Sequence, residues 1–252
     1  MAAPLRAFAL LLAAGAAALH TGAQEKPSPP KILVAFPIGV EPGKKTTLNL
    51  RGLQLAELKA VHLEPATATA VVESNGTAAV PNNTSKDTVG DTQARVAITL
   101  PKDFVGERLL LRVQTAGGLS EALTVPVLRE GAFAAEKEDN NGFRTPQALA
   151  ALPARIVGSI RAAQDVDVYV VQGRAGQMLT AEVFAHRGGS LCDAVLTVRD
   201  ERLALLASDD DGAGGRDPRV AIRLPSDGKY YLVVQDAHDS GGEMHPYHLL
   251  VR

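Results

Sequence analysis

The chain of 252 residues contains a single cysteine, Cys192, and no tryptophan. One thiol excludes an intrachain disulfide, so a chain of this kind outside the cell would need another means of stabilisation, such as a bound metal. The formal net charge is only −2, and no stretch interleaves basic with aromatic residues. This composition argues against a nucleic acid as the partner.

Recognised catalytic motifs are also missing. The sequence has no Gly-X-Ser-X-Gly, no His-Glu-X-X-His and no phosphate-binding glycine loop. No histidine stands near Cys192 to activate it, and we interpret this residue as small and buried. His238, His245 and His248 are predicted to be scattered surface residues, because a zinc site needs three or four converging ligands. We therefore predict that the chain is not an enzyme.

The first 23 residues have the pattern of a cleaved signal peptide. Arg6 precedes an apolar run over residues 7–19, and small residues follow at 21–23. The prediction is a secreted, periplasmic or cell-surface protein. No later run is long and apolar enough to span a bilayer, so we expect no transmembrane segment in the mature chain.

The remainder divides into two β-rich halves. A proline-rich spacer occupies 24–30, a first domain 31–128, a linker 129–138 and a second domain 139–252. Short β-prone runs separated by turn residues predict an all-β fold of two β-sandwich domains, the first immunoglobulin-like and the second a jelly roll. The predicted strands are 32–36, 46–50, 60–63, 69–72, 94–100, 108–114 and 122–128, then 154–160, 167–171, 178–185, 194–199, 203–208, 219–224, 229–235 and 247–251.

Three local patterns add detail. Residues 74–92 are polar and turn-rich, which predicts a long loop, and residues 145–150 are compatible with one helical turn. Because neighbouring residues on a strand face opposite ways, one of Tyr230 and Tyr231 should be in the core and the other exposed.

The junction EKEDNNGFRTPQAL, residues 136–149, gathers oxygen-bearing side chains. In an extended segment, residues two apart face the same way, so Glu136, Glu138 and Asn140 present one ligand face. Asp165 and Asp167 share this spacing at the start of a predicted strand. Ca²⁺ takes six to eight oxygens in irregular geometry, and Mg²⁺ fits less naturally, so a calcium site forms if the two segments meet. The alternative is a solvated acidic linker.

The second half resembles the bacterial pre-peptidase C-terminal domain and is similar to the collagen-binding domains of clostridial collagenases. The resemblance is carried by EKEDNNGFRTPQAL, by GSIRAAQDVDVYVVQGRAGQMLTAEVF and by DPRVAIRLPSDGKYYLVVQDAHDSGG with PYHLLVR, in that order. The first half is similar to an immunoglobulin-like IPT/TIG module through PIGVEPGKKTTLNLRGLQL and LPKDFVGERLLLRVQTAGGLSEALTVPV. The pre-peptidase family implies a jelly roll appended to a secreted peptidase.

The collagen-binding relatives also imply a calcium site at the linker, formed by an acidic Glu-X-Glu motif with a serine and an aspartate further on. The matching positions are Glu136, Glu138, Asn140, Asn141, Ser159 and Asp167. Two departures lower the charge of the site: Asn141 replaces an acidic residue, and Gln164 stands where an aspartate is expected. Asp165 is placed to compensate.

A second acidic segment, SDDDGAGGRD at residues 208–217, does not match a known calcium loop. Ala213 falls where an EF-hand needs an oxygen ligand, and no glutamate closes the loop. We interpret the segment as a hairpin loop, with Asp209 and Asp210 as candidate secondary ligands.

The sequence as a whole predicts an exported binding module without catalytic function. Its partner would be an extracellular protein, a polysaccharide or a cell-surface component, and calcium would rigidify the junction between the domains. The alternative is an accessory or maturation partner of a separately encoded secreted peptidase.

Overall fold

The computed structural model describes residues 27–81, 84–129, 131–212 and 215–252. The predicted signal peptide, residues 1–23, and the start of the spacer at 24–26 lie outside these ranges. Among the described residues, no helix has the length and apolarity needed to cross a membrane.

The first half is a pair of sheets around one core. Its strands are β1 (Lys31–Phe36), β2 (Lys45–Leu53), β3 (Ala60–Glu64), β4 (Thr69–Thr77), β5 (Thr92–Thr99), β6 (Arg108–Thr115), β7 (Gly118–Leu119) and β8 (Leu123–Pro126). One sheet has the order β1-β2-β5-β4, and the other has the order β3-β6-β7 with β8 also on β6. Side chains alternate along each strand, which sends Leu48, Leu50, Val96 and Ile98 from one sheet against Leu111 of the other.

The second half is built from two five-stranded sheets. Its strands are β9 (Ala132–Ala135), β10 (Gln147–Ala148), β11 (Ala154–Ser159), β12 (Val166–Gly173), β13 (Met178–Phe184), β14 (Ala194–Arg199), β15 (Leu205–Asp209), β16 (Arg219–Arg223), β17 (Gly228–Asp236) and β18 (Pro246–Val251). The strand orders are β10-β12-β17-β14-β15 and β16-β13-β18-β11-β9. Their facing sides enclose an apolar core that includes Tyr169, Leu196, Leu232, Tyr247 and Leu249.

The all-β prediction is confirmed, but two local predictions are wrong. Within 74–92, β4 continues to Thr77, a short helix α1 (Lys86–Val89) follows, and β5 begins at Thr92. Pairing with β5 over the whole length of β4, across one register shift, keeps these polar residues extended. The proposed helical turn at 145–150 is instead strand β10, which pairs in parallel with β12.

The segment between the halves is also a strand. Residues of β9, which lie inside the predicted linker 129–138, pair in parallel with β11 at the edge of a sheet of the second half. The domain boundaries stay a prediction, but this part of the linker has a fixed place in the second half.

The two halves pack against each other. Val34 and Val89 of the first half form a small buried cluster with Met244 of the second. A Cβ atom on Gly188 would lie 2.4 Å from Cγ2 of Ile38, so only glycine permits this close approach. These contacts hold the two halves face to face beside the acidic junction.

Candidate metal centre and interdomain groove

Three carboxylates converge where the chain enters the second half. Glu136 follows β9 directly, and its backbone nitrogen donates to the oxygen of Val157 at 2.9 Å, which extends the pairing with β11. Glu138 follows two residues later, and Asp167 lies fully buried on β12. One carboxylate oxygen from each of these three residues lies within 4.8 Å of the other two. The acidic linker and strand β12, which the sequence indicates as two parts of one site, lie next to each other.

Asn140 completes the inner side of this cluster. The residue is buried, and its backbone oxygen accepts from Val168 at 3.0 Å. One polar atom of its amide lies 3.0 Å from Oε2 of Glu138 and 3.1 Å from Oδ1 of Asp167. As nitrogen, this atom donates to both carboxylates. As oxygen, it adds a fourth ligand, and either a proton on one carboxylate or a cation between the oxygens stabilises that arrangement.

Two tyrosine hydroxyls lie behind the carboxylates. The hydroxyl of Tyr169 lies 3.0 Å from Oε1 of Glu136 and 2.5 Å from the hydroxyl of Tyr247. The Tyr247 hydroxyl in turn lies 3.0 Å from Oε1 of Glu136 and 2.6 Å from Oδ2 of Asp167. Each tyrosine has one hydroxyl proton to donate, so two protons serve four short contacts between oxygen atoms. The network is short of positive charge or protons.

The pKa shifts in the cluster also indicate a lack of protons or positive charge. Burial, together with the neighbouring Glu136, raises the pKa of Asp167 to about 9. Burial and the charge of Glu136 also raise the pKa of Glu138 above its ordinary value. Burial and the adjacent carboxylates raise the pKa of Tyr169 and of Tyr247, so the tyrosines stay protonated. A proton or a metal cation must neutralise this cluster.

Arg161 supplies part of the missing positive charge. Its Nε lies 3.1 Å from Oε1 of Glu138 and 3.9 Å from Oε2 of Glu136. The side chain of Arg161 is 57% exposed, whereas that of Glu136 is 3% exposed. The guanidinium therefore reaches the carboxylates from the solvent side and leaves the buried side to Asn140 and the tyrosines.

The other predicted ligands have different roles. Ser159 contributes its backbone nitrogen, which donates to Oε2 of Glu136 at 3.1 Å. Asp165 accepts from the backbone nitrogen of Arg161 at 2.6 Å and closes a turn. Asn141 is exposed, whereas its neighbour Asn140 is buried. In the second acidic segment, Asp209 accepts from the backbone nitrogen of Arg219 at 2.7 Å.

The histidine prediction is wrong for two of the three residues. His238 is exposed, but His245 and His248 are buried, and both ring nitrogens of His248 have no hydrogen-bond partner among the described residues. The ring of His248 packs edge-on against Phe133 of β9, with centroids 6.1 Å apart. Burial, and then Arg155, lower the pKa of His248 to about 3. Within the described ranges, no histidine joins a group of potential metal ligands.

The prediction for Cys192 agrees with the structure: the residue is fully buried, and burial raises the pKa of its thiol. The prediction for the tyrosine pair agrees in part. Tyr230 lies in the core, whereas Tyr231 is half-buried and not exposed, and packs against Phe143 with ring centroids 5.4 Å apart.

A groove of about 780 Å³ opens between the two halves, next to the acidic cluster. Glu136, Ser159 and Arg161 border both the groove and the cluster. The groove is also lined by residues of both halves: Val34, Phe36, Arg51, Phe133, Ala135, Val157, Glu243 and Met244. A cavity of this size at a domain boundary is a usual place for a ligand.

Comparison with known proteins identifies the second half. The family model described as bacterial pre-peptidase C-terminal domain matches residues 165–236. The "Probable subtilase-type serine protease" of Deinococcus radiodurans is 40% identical over 77 residues, which are 30% of this chain and 10% of that protein. The second half therefore carries a bacterial pre-peptidase C-terminal domain, as predicted. The chain spans about a tenth of the length of this relative.

Two solved structures are each similar to about half of this chain. The pre-peptidase C-terminal domain of a collagenase from Bacillus anthracis has 19% identity and a TM-score of 0.33, covering 50% of this chain and 99% of that one. PliG of Aeromonas hydrophila, a periplasmic inhibitor of g-type lysozyme, has 24% identity and a TM-score of 0.34, covering 48% and 97%. The resemblance of the first half to IPT/TIG modules stays a prediction.

Proposed function

We propose that the chain is an exported, non-catalytic binding module for an extracellular protein, a polysaccharide or a cell-surface component, rigidified by calcium at the junction of its two halves. The observation that carries this proposal is the convergence of Glu136, Glu138 and Asp167 around the amide of Asn140. The family match supports the absence of catalysis in the second half, since these domains accompany peptidases as appended modules.

The donor set fits calcium better than other metals. All the converging side chains offer oxygen, and none offers sulfur or nitrogen other than the Asn140 amide. Oxygen donors select hard cations, and Ca²⁺ accepts the irregular geometry that a strand end and a neighbouring strand provide. Glu136, Glu138, Asn140 and Asp167 would hold the ion, and Tyr169 and Tyr247 would orient the carboxylates from behind.

Calcium would act through the position of Glu136. This residue directly follows β9, the first strand of the second half after the chain leaves the first half, whereas Asp167 belongs to the other sheet of the second half. An ion shared between them would tie the incoming chain to both sheets at once and so fix the approach of the first half.

The test is thermal unfolding in EDTA and in millimolar calcium. Binding to the folded state alone stabilises it by about 2.7 kcal/mol at a hundredfold excess over Kd, which for a chain of this size is a shift of roughly 5–10 °C. The shift should vanish in Glu138→Ala and persist in Glu57→Ala, a control on the exposed surface of the first half. An equal shift in both variants would place the ion elsewhere.

A second function is favoured by the similarity to the subtilase-type protease. The chain would then be an accessory or maturation partner of a separately encoded secreted peptidase. Affinity capture from the secreted fraction of the source cell separates the two functions. Recovery of a peptidase supports the accessory role, whereas retention on insoluble matrix or glycan supports the binding module.

A further inference from the structure

The groove between the halves is bordered by two sheet edges. Strand β1 is the outermost strand of its sheet in the first half, and β9 is the outermost strand of its sheet in the second. Val34 and Phe36 of β1 and Phe133 and Ala135 of β9 all line the groove. Edge strands carry backbone N–H and C=O groups on their outer side, with which an extended peptide can pair. At the end of β9 the side chain of Gln147 already bonds the oxygen of Ala135 and the nitrogen of Lys137, so a peptide would pair with the remainder of the two edges. The architecture therefore favours an extended peptide as the occupant.

The walls of the groove are largely apolar. Phe36 lies on the side of the first half and Phe133 on the side of the second, while Val34, Val157 and Met244, which also line the groove, are buried. Phe133 is 43% exposed, so an aromatic surface is open to a ligand. Alternate side chains of an extended peptide point to one face, so apolar residues at every second position would enter these walls.

Arg161 is the exposed cation at the edge of this groove. Arg51 also lines it, but its side chain is 11% exposed and is bound to Glu243 and to the backbone oxygen of Val89. Arg161 is 57% exposed and its lining position places the guanidinium between the groove and the acidic cluster. A carboxylate on a bound peptide would find its counterion here.

We propose that the groove binds an extended, apolar peptide that carries one carboxylate, that Arg161 is the anchor for this carboxylate, and that calcium at the junction frees Arg161 to act. The inference rests on the proposed calcium site. Arg161 now faces Glu138 and Glu136, two of the carboxylates that would hold the ion. A divalent ion takes these oxygens and repels the guanidinium, so the two cations exclude each other.

The first measurement is calcium binding by calorimetry, without peptide. Because Arg161 competes with calcium, Arg161→Gln should bind calcium about two- to fivefold more tightly than the unaltered chain, from the loss of one partly exposed ion pair. Arg202→Gln, an exposed arginine on the hairpin between β14 and β15, serves as the matched control and should bind calcium unchanged. Unchanged affinity in Arg161→Gln overturns the competition.

The second measurement uses a pooled set of hexapeptides in which valine, isoleucine and threonine flank a central glutamate. A matched set carries glutamine instead, and binding is measured by fluorescence anisotropy. The glutamate set should bind at least fivefold more tightly in calcium than in EDTA and should exceed the glutamine set. Arg161→Gln should remove both preferences, and Arg202→Gln should keep them. N-methylation of the peptide backbone should weaken binding, since it blocks pairing with a strand edge.

The outcomes separate this inference from the proposed function. If calcium binds and raises the melting temperature but the glutamate preference does not depend on Arg161, the calcium site stands and the groove inference fails. If calcium does not bind at all, the metal part of the proposed function fails. If the glutamate preference is equal in EDTA and in calcium, the proposed coupling between calcium and Arg161 is overturned. Binding of soluble polysaccharide in place of both peptide sets overturns the peptide as occupant.

Discussion

Two buried aspartates of the second half, Asp217 and Asp167, have opposite surroundings. Asp217 accepts from the backbone nitrogens of Ala185 and His186 through one oxygen, and from the backbone nitrogen and Nε of Arg187 through the other. Asp167 has the hydroxyl of Tyr247 at 2.6 Å and faces other carboxylates. Both side chains are almost completely buried.

The difference shows how to tell a structural carboxylate from a candidate ligand. Fixed donors surround Asp217, so its charge is compensated by the fold and needs nothing from solution. Asp167, with Glu136 and Glu138, is compensated only if something mobile arrives, either a proton or a cation. Burial alone does not distinguish them, whereas the number and kind of donors does.

Removal of the Asp217 carboxylate should give the largest effect. Asp217→Ala leaves buried N–H groups and a charged Arg187 without their acceptor, so we expect a loss of about 3–5 kcal/mol in the free energy of unfolding. Urea unfolding with EDTA and with calcium measures it, and the loss should be the same in both. If calcium restored the free energy of unfolding of Asp217→Ala, the proposed difference between the two aspartates would be wrong.

His248 extends the comparison to a base. The nitrogens of this buried ring have no hydrogen-bond partner in the described part of the chain, and its pKa is lowered to about 3 by burial and then by Arg155. The unfolded chain therefore binds a proton below pH 6.5 that the folded chain refuses, and stability is complete above pH 6.5 and falls as the pH drops toward 3. Two pH units below 6.5 should remove about 2–3 kcal/mol.

Unfolding of His248→Phe against the unaltered chain, from pH 7.5 to 4.5, isolates this contribution. The variant should lose less stability over this range, by about the same 2–3 kcal/mol. Parallel pH curves would show that His248 keeps its ordinary affinity for protons in the folded chain.

Asp167→Asn should act in the opposite direction to the Asp217 change. In EDTA the substitution removes a buried carboxylate that faces other carboxylates and has few donors, so stability should rise by about 1–2 kcal/mol. In calcium the variant should gain nothing further, because a ligand is lost. Melting curves of Asp167→Asn and Asp217→Asn in both solutions give the matched comparison, and destabilisation of both in EDTA would contradict it.

The smallest effect is expected at the hydroxyl of Tyr169. Tyr169→Phe removes one of two hydroxyl protons behind the carboxylates but keeps the ring in the core. We expect a loss of about 1 kcal/mol in EDTA. Calcium affinity should fall only a few-fold, since the hydroxyl orients Glu136 without touching the ion. Calorimetry measures both, and a complete loss of calcium binding would assign the hydroxyl a larger role.

Much of the site follows from local periodicity in the sequence. The alternation of Glu136, Glu138 and Asn140 in an extended segment predicts one shared face, and their side chains do converge. The same periodicity misplaces Asp165, because β12 begins only at Val166 and Asp165 instead closes the turn at Arg161. A spacing of two residues predicts a shared face only where both residues belong to the strand.

Contacts across long stretches of chain were not predictable. Tyr247 and Glu136 are separated by 111 residues, and no local pattern brings that hydroxyl to the carboxylate. The burial of His248 has a similar cause. Strand β18 lies between β13 and β11 in its sheet, and its side chains are buried on both faces. A sequence reveals that a strand alternates, but not that its second face is also occupied.

The parallel pairing of β9 with β11 has a mechanical consequence. When the first half is pulled away from the second, tension enters β9 along its own axis, and its hydrogen bonds with β11 are loaded together in shear. Under this load the hydrogen bonds between β9 and β11 do not break one after another from one end. The acidic cluster begins at Glu136, where this strand ends, so an ion bound there would act as a rivet at the end of the loaded strand. If an ion binds there, separation of the two halves should require more force in calcium than in EDTA.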